Sequence, residues 1–234
     1  MKEITLDGLW KLRADKIEDN KFGIKENMEW DMELPGDVHD TLIKNKTIPD
    51  PYYGMNELDI LFVGRGDWTV YRSFNWEKKD ERVFIRLEKV DTVARLFING
   101  EKVKGFENEH QIHFIDITQF LKDGENTISF SFRSSESLAI ERNDKLSYPI
   151  PCSRYPNDSP YRNLVRKTQC NAGWDWGPCI MSTGIHESIK LIETGSSLFE
   201  SFSVIPRLKE GKWEVEFECL VESIKEKAVS VKAE

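Results

Sequence analysis

Apolar and polar residues alternate through much of this chain, and residues 126–133 show the pattern most clearly. Here Ile128, Phe130 and Phe132 alternate with polar residues. Successive side chains of a strand point to opposite faces, so this segment predicts a strand with one buried face. Aromatic and β-branched residues at 68–74 and 82–87 predict two further strands. The pattern favours a mostly antiparallel β protein.

Turn residues predict where several of these elements end. The apolar run 92–98 leads into Asn99 and Gly100, a strong signal for a two-residue hairpin, and residues 101–104 form the returning strand. Thr118 is expected to cap a short helical turn that ends at Gly124. Residues 39–46 predict one short amphipathic helix.

Two proline-containing segments predict loops. Residues 48–54 contain two prolines with fixed φ angles and are expected to form a rigid loop. Residues 134–162 contain four prolines and little periodicity, which predicts a long loop.

The pattern changes near residue 195. Residues 189–192 complete a strand and residues 194–197 read as a linker, after which new alternating runs appear at 202–205, 213–221 and 228–234. Three strands are too few for a stable sandwich. We therefore expect one domain over residues 1–195, and over residues 196–234 the beginning of a second domain whose natural chain continues.

Composition and charge exclude several classes of partner. The 234 residues are 39% hydrophobic and 32% charged, as in a globular protein, and the net charge is −8. An acidic chain without a large basic patch is not expected to bind nucleic acid, and its short basic run, residues 162–167, is expected to pair with local carboxylates. No apolar run could span a bilayer and no signal peptide is recognisable, so we expect no membrane partner and a cytoplasmic protein. Export after removal of a leader is the alternative.

Metal and cofactor chemistry find no support in the sequence. The four histidines lack metal-ligand spacing and are expected at the surface, and no two of the four cysteines have Cys-x-x-Cys spacing. We expect free thiols, with a bridge between Cys170 and Cys179 as the alternative. No metal and no cofactor are predicted.

The segment 173–178, Gly-Trp-Asp-Trp-Gly-Pro, carries the most distinctive chemistry. Asp175 stands between Trp174 and Trp176, and glycines bracket all three. Glycine permits unusual backbone angles and Pro178 disfavours a helix, so we predict an irregular loop. Aromatic faces pack on the apolar side of a sugar ring, and a carboxylate accepts hydrogen bonds from its hydroxyls. The alternative is a pair of core tryptophans beside a turn aspartate.

Several segments, in this order, resemble the N-terminal region of the β-mannosidases of glycoside hydrolase family 2. They are residues 6–12, 34–39, 48–57, 67–72, 90–94, 97–100, 124–126, 162–170, 173–178 and 183–185. The resemblance implies an all-β fold: a jelly-roll (galactose-binding-like) β-sandwich, followed by the first strands of an immunoglobulin-like sandwich. It also implies a retaining enzyme that removes terminal β-D-mannosyl residues and whose two catalytic glutamates lie on a later (β/α)8 barrel. No catalytic residue is therefore assigned, and this chain alone is expected to be inactive.

The resemblance further implies which residues meet the substrate, a β-mannoside or a mannose-containing oligosaccharide. Asp175 would hydrogen-bond the sugar hydroxyls, with Trp174 or Trp176 forming the pocket wall, so that the loop completes a pocket of the barrel. Arg166 and Gln169 are further candidates. Arg166 would either orient Asp175 through a charge-assisted bond or bond elsewhere in the sandwich.

Three residues depart from the family pattern, and several alternative functions are kept. Asn171, Ala172 and Cys179 stand where the family has larger or basic residues. The loop at 49–57 is expected at a domain interface, with contact of Tyr52, Tyr53 or Asn56 with a sugar as the alternative. Alternative functions are a free-standing carbohydrate-binding module, a purely structural domain, or part of another family 2 glycosidase acting on β-galactosides or β-glucuronides.

Overall fold

The computed structural model describes residues 2–77, 82–152, 161–195 and 197–223. Its strands are β1 (Lys2–Thr5), β2 (Gly8–Lys16), β3 (Glu29–Leu34), β4 (Gly36–Asp37), β5 (Asp67–Trp76), β6 (Arg82–Leu87), β7 (Val90–Asp91), β8 (Val93–Ile98), β9 (Glu101–Phe106), β10 (His113–Asp116), β11 (Gly124–Arg133), β12 (Ala172–Trp174), β13 (Gly177–Cys179), β14 (Gly184–Ile185), β15 (Lys190–Thr194), β16 (Ser197–Lys209) and β17 (Lys212–Ser223). The α-helices are α1 (Val38–Lys44), α2 (Asn56–Asp59), α3 (Leu61–Arg65) and α4 (Ser135–Asp144). Short 3-10 helices occupy Thr118–Phe120, Arg162–Leu164 and Gln169–Asn171.

Two antiparallel sheets form the body of the protein. A six-stranded sheet has the order β3-β2-β5-β11-β8-β9, and a four-stranded sheet has the order β1-β15-β6-β10. A smaller sheet, β4-β14-β7, joins segments that lie far apart in the sequence. One continuous hydrophobic core contains residues of both large sheets. The predicted all-β sandwich is therefore confirmed.

Alternation in β11 explains how the core is filled. Ile128, Phe130 and Phe132 are buried, whereas Thr127 and Arg133 are exposed. Phe130 lies 6.1 Å from the ring of Trp10, measured between centroids. The indole N–H of the buried Trp10 donates to a backbone carbonyl at 2.9 Å, so this large side chain leaves no polar atom unpaired.

The predicted hairpin at Asn99 and Gly100 is confirmed. Both residues have positive φ angles, 51° and 82°, as a two-residue hairpin turn requires. The Asn99 side chain also donates to the side-chain oxygen of Asn126 at 2.8 Å. Asn126 is buried and its own amide donates to the carbonyls of Lys122 and Gly124, so its polar atoms are satisfied inside the sandwich.

Three local predictions differ from the structure. The predicted long loop contains the helix α4, which begins because the Ser134 hydroxyl accepts a hydrogen bond from Ser137 N at 3.2 Å. The turn at Thr118–Phe120 is held by Asp116, whose carboxylate accepts from Thr118 N at 3.0 Å, and Gly124 begins β11 instead of ending a helix. The segment around Asp175 is a short β-hairpin, β12 with β13.

The strands β16 and β17 form a two-stranded antiparallel sheet of their own. They coincide with the alternating runs predicted beyond residue 195, while the strand predicted at 228–234 lies outside the described residues. The assignment of residues 196–234 to a second, immunoglobulin-like domain stays a prediction. In the described part of the chain, no helix is long and apolar enough to cross a membrane.

Candidate functional site

The tryptophan hairpin, residues 172–179, projects its tip into solvent. Trp174 pairs with Gly177, which places Asp175 and Trp176 at the turn. Asp175 is exposed, and Trp174 and Trp176 are 40% and 74% exposed. Their ring centroids lie 5.3 Å apart with an interplanar angle of 44°. The alternative of two core tryptophans is therefore wrong, since the tip presents a carboxylate between two accessible indoles.

Arg162 holds the first strand of the hairpin. Its Nη1 donates to the carbonyl of Gly173 at 2.6 Å and to that of Ala172 at 3.4 Å. The guanidinium carbon lies 5.2 Å from the centroid of the Trp174 ring, within the range of a cation–π contact. One buried cation thus contacts both the backbone and the side chain that lead to Asp175.

Glu57 holds the second strand. Its Oε1 accepts a hydrogen bond from Cys179 N at 3.0 Å, across 122 positions of sequence. Glu57 lies in α2 and is the last residue of the segment 49–57, which is predicted to lie at a domain interface. This bond ties that region to the base of the hairpin.

The base of the hairpin lies among buried charges. Burial, helped by the carboxylates of Glu136 and Glu57, raises the pKa of the Cys179 thiol to about 11 against the opposing charges of Arg65 and Arg162. Arg65 Nε donates to Glu136 Oε1 at 3.0 Å. Cys179 is therefore a protonated, buried packing residue beside an ionic network.

The other two predicted site residues do not join the tip. Arg166 is exposed, and within the described residues no hydrogen bond or ion pair joins its side chain to Asp175. The Gln169 amide donates to the carbonyls of Arg162 and Lys167, both at 3.0 Å, and so stabilises the loop before the hairpin. The structure brings Trp174, Asp175 and Trp176 together, and a contact of any of the five residues with a sugar stays a prediction.

An ionic cluster of Asp91, Lys167, Ser182 and His186 fixes the chain on both sides of the hairpin. Lys167 Nζ donates to Asp91 Oδ1, to the Ser182 carbonyl at 2.8 Å and to Ser182 Oγ at 3.0 Å. Asp91 Oδ2 accepts from Ser182 Oγ at 2.6 Å and lies 3.0 Å from His186 Nε2. Because Lys167 precedes the hairpin and Ser182 follows it, the cluster joins both of its ends to β7.

Electrostatics in the cluster favour the charged forms. Burial acts to raise the pKa of Asp91, but the hydrogen bond with His186 and the charge of Lys167 outweigh it and lower that pKa strongly. The hydrogen bond to Asp91 raises the pKa of His186 against the effect of burial. The Asp91 carboxylate is therefore held in its ionised form, and His186 keeps its proton to a higher pH than a free imidazole does.

An open cavity of about 640 Å³ borders this cluster. Its lining includes Asp91, Glu109, Asn171, Ser182 and His186. Asn171 donates to Ser182 Oγ at 2.6 Å, and the Thr168 hydroxyl contacts Glu109. These bonds join Asn171 and Thr168, which lie just before the hairpin, to the cavity wall, whereas the buried Glu109 Oε2 accepts no hydrogen bond from the described residues.

Several expectations about charge and histidine are wrong. Lys167 pairs with Asp91, 76 positions away, and not with a local carboxylate. Two of the histidines expected at the surface, His39 and His113, are buried. The prediction of free thiols is confirmed, since all four cysteines are free. Among the described residues, no group of three His, Cys, Asp or Glu side chains could hold a metal ion.

The fold and the exposed hairpin define a β-sandwich domain of the galactose-binding-like class. A family model described as "Glycosyl hydrolase 2 galactose-binding domain-like" matches residues 10–187. The chain belongs to this family.

Two relatives and one solved structure that are similar to this chain are named beta-mannosidases. The chain is 32% identical over 224 residues to a probable beta-mannosidase of Caenorhabditis elegans, covering 92% of this chain and 24% of that protein. It is 29% identical over 203 residues to the beta-mannosidase of Bos taurus, covering 80% and 21%. The crystal structure of a beta-D-mannosidase from Dictyoglomus thermophilum matches with a TM-score of 0.81 and 27% identity over 95% of this chain and 26% of that one.

A more distant structural match shows the fold alone. An exo-chitosanase of Amycolatopsis orientalis matches with a TM-score of 0.67 and 18% identity, over 96% of this chain and 25% of that one. The chain spans about a quarter of the length of each of these four proteins.

Proposed function

We propose that this chain is the N-terminal, non-catalytic part of a retaining exo-β-mannosidase that removes terminal β-D-mannosyl residues. In this proposal the tip of the tryptophan hairpin completes a sugar pocket formed mainly by a catalytic barrel further along the same polypeptide. The observation that carries it is the exposed Asp175 between two exposed indoles, on a hairpin held by Arg162 and Glu57. The beta-mannosidase names of the relatives favour a β-mannoside as the substrate.

The chemistry of the tip suits a sugar. An ionised carboxylate offers two acceptor oxygens for adjacent hydroxyls, and an indole face covers the apolar C–H side of a pyranose ring. Three groups on one turn cannot bury a monosaccharide, because ligand sites generally enclose most of the ligand surface. The isolated chain is therefore expected to bind mannose weakly and to hydrolyse nothing.

The test replaces Asp175 in the full-length protein. Asp175→Asn keeps the shape of the side chain and removes its charge, and it should lower kcat/KM for an aryl β-mannoside. A hydrogen bond to a charged group contributes about 1.5–3 kcal/mol, which corresponds to a loss of roughly 10- to 150-fold. Asp31→Asn, which alters an exposed carboxylate paired with Lys11 on the six-stranded sheet, is the matched control and should change nothing.

Each contrary result selects another function. If Asp175→Asn behaves like Asp31→Asn, the hairpin is scaffold and the sandwich has a structural role only. Saturable binding of mannobiose to the isolated chain would favour a free-standing carbohydrate-binding module. A preference of the full-length protein for β-galactosides or β-glucuronides would reject the proposed substrate.

A further inference from the structure

We propose that Arg162 is a positioning residue that sets the orientation of Trp174, and through it Asp175, at the bound sugar. This inference rests on the proposed function of the hairpin. Sequence reasoning had singled out Arg166 for such a role, but the contacts belong to the arginine four positions earlier.

The hairpin needs support from outside its own strands. β12 and β13 contain three residues each and form a sheet of two strands with no third strand beside them in the described structure. A two-stranded hairpin is at best marginally stable by itself. The direction of its tip must therefore come from contacts made by other segments.

Arg162 supplies such contacts at the position next to the tip. Its bond of 2.6 Å to the Gly173 carbonyl is the shortest that its guanidinium makes to the hairpin backbone, and that carbonyl directly precedes Trp174. Gly173 has a φ of 88°, so the residue whose carbonyl Arg162 holds has a backbone conformation that favours glycine. The same guanidinium lies over the indole of Trp174.

The chemistry of arginine suits this double contact. Its planar group can donate hydrogen bonds along its edge while its face stacks on an aromatic ring. A lysine ammonium is a compact point charge that could meet the carbonyl or the ring, but not both in this geometry. Arg162 is also only 9% exposed, so water does not compete strongly for its donors.

The loop that carries Arg162 is itself fixed. Tyr161, in the left-handed region with a φ of 62°, begins the 3-10 helix Arg162–Leu164. The Gln169 amide donates to the Arg162 carbonyl at 3.0 Å. The backbone that carries Arg162 is thus held by contacts outside the hairpin, as a positioning role requires.

Kinetics of the full-length protein test this role with Arg162→Lys, Asp175→Ala and the double variant, each with an aryl β-mannoside. We expect Arg162→Lys to lower kcat/KM at least about tenfold, because small misplacements of a binding group are costly. In the Asp175→Ala background the same change should cost less than about threefold, because Arg162 acts through Asp175 and its neighbour.

Arg142→Lys is the matched control. Arg142 Nη1 also donates to a backbone carbonyl of the same loop, Leu164 O at 2.7 Å, but within the described residues no hydrogen bond joins Arg142 to the hairpin. This variant should keep the parental kcat/KM. Urea unfolding of both lysine variants shows whether they are folded, and Arg162→Gln, which keeps an N–H donor but no charge over Trp174, replaces Arg162→Lys if that variant does not fold.

The outcomes separate the two proposals. If Asp175→Ala costs more than tenfold while Arg162→Lys matches Arg142→Lys, the positioning role is refuted and the proposed function stands. Equal losses from Arg162→Lys with and without Asp175 would also refute it, since they indicate a general effect on the fold. If Asp175→Ala has no effect, the proposed function fails and the inference fails with it.

Discussion

Replacing Lys167 by methionine should destabilise the fold far more than the same change at a partly exposed lysine. The side chains of Lys167 and Asp91 are only 2% and 1% exposed. Methionine fills a similar volume but cannot donate, so the variant leaves the buried Asp91 carboxylate with His186, Ser182 and Thr92 as partners and without its ammonium. The Ser182 carbonyl loses a donor at the same time.

The structure sets the size of this effect. Removing one partner of a buried ion pair costs about 3–5 kcal/mol, because an uncompensated charge remains in a poorly solvated site. The remaining hydrogen bonds to Asp91 favour the lower end of that range. Lys190 pairs with Glu3 at 2.7 Å, but those side chains are 29% and 45% exposed. Lys190→Met should therefore cost no more than about 1 kcal/mol.

Urea unfolding of the 234-residue chain, followed by circular dichroism, measures both changes by linear extrapolation. Each kcal/mol lowers the Tm of a chain of this size by about 2–4 °C, so Lys167→Met should lower the Tm by roughly 6–12 °C. The double variant Lys167→Met with Asp91→Asn should lose less unfolding free energy than the two single variants lose together, since it removes the carboxylate charge that Lys167→Met leaves uncompensated.

A free energy of unfolding for Lys167→Met within about 1 kcal/mol of that for Lys190→Met would refute the argument from burial. It would mean that solvent reaches Asp91 in the folded protein. Strict additivity in the double variant would show that the two groups do not interact, whatever their distance.

Two more predictions concern titration and thiol reactivity. The hydrogen bond to Asp91 raises the pKa of His186 above its usual 6.5, so the resulting stabilisation is complete below that pH and is lost as the pH rises through the folded-state pKa. The difference in unfolding free energy between the parent and His186→Asn should therefore shrink above neutral pH, and a difference that is constant from pH 5 to about 9 would contradict this. The buried Cys179, with its pKa of about 11, should react with a thiol reagent only on unfolding, whereas the exposed Cys152 should react at once. Rapid labelling of Cys179 in the folded chain, read by peptide mass, would show that the base of the hairpin opens.

Local periodicity was sufficient to predict several of the strands and one hairpin, but not the order of strands in the sheets. The alternation at Ile128, Phe130 and Phe132 depends only on residues two apart, and the signal at Asn99 and Gly100 on two adjacent residues, so both could be read directly. The helix α4 was not predicted, because the four prolines that follow it favour a loop over the whole of residues 134–162. Ser134 followed by Leu138, Ala139 and other good helix formers was a signal for it.

The candidate site could be predicted only in part, because its support is not local. Asp175 and its two tryptophans are adjacent in sequence and could be recognised from composition and resemblance. The partners that hold them are not adjacent: Glu57 lies 122 positions from Cys179, and Asp91 lies 76 from Lys167. Nothing in the spacing of these charged residues distinguishes them from the many carboxylates and lysines on the surface.

Under the proposed function, the use of charge beneath the hairpin follows from the position of its tip. A tip that meets a ligand outside the sandwich cannot be buried, so its two tryptophans add little to the core. Hydrophobic contact is non-directional and would stabilise the base of the hairpin without fixing where the tip points. Hydrogen bonds from a planar cation and to a carboxylate are directional, and Arg162 and Glu57 place one on each strand. The burial of Arg162 is therefore the expected cost of holding an exposed turn in one orientation.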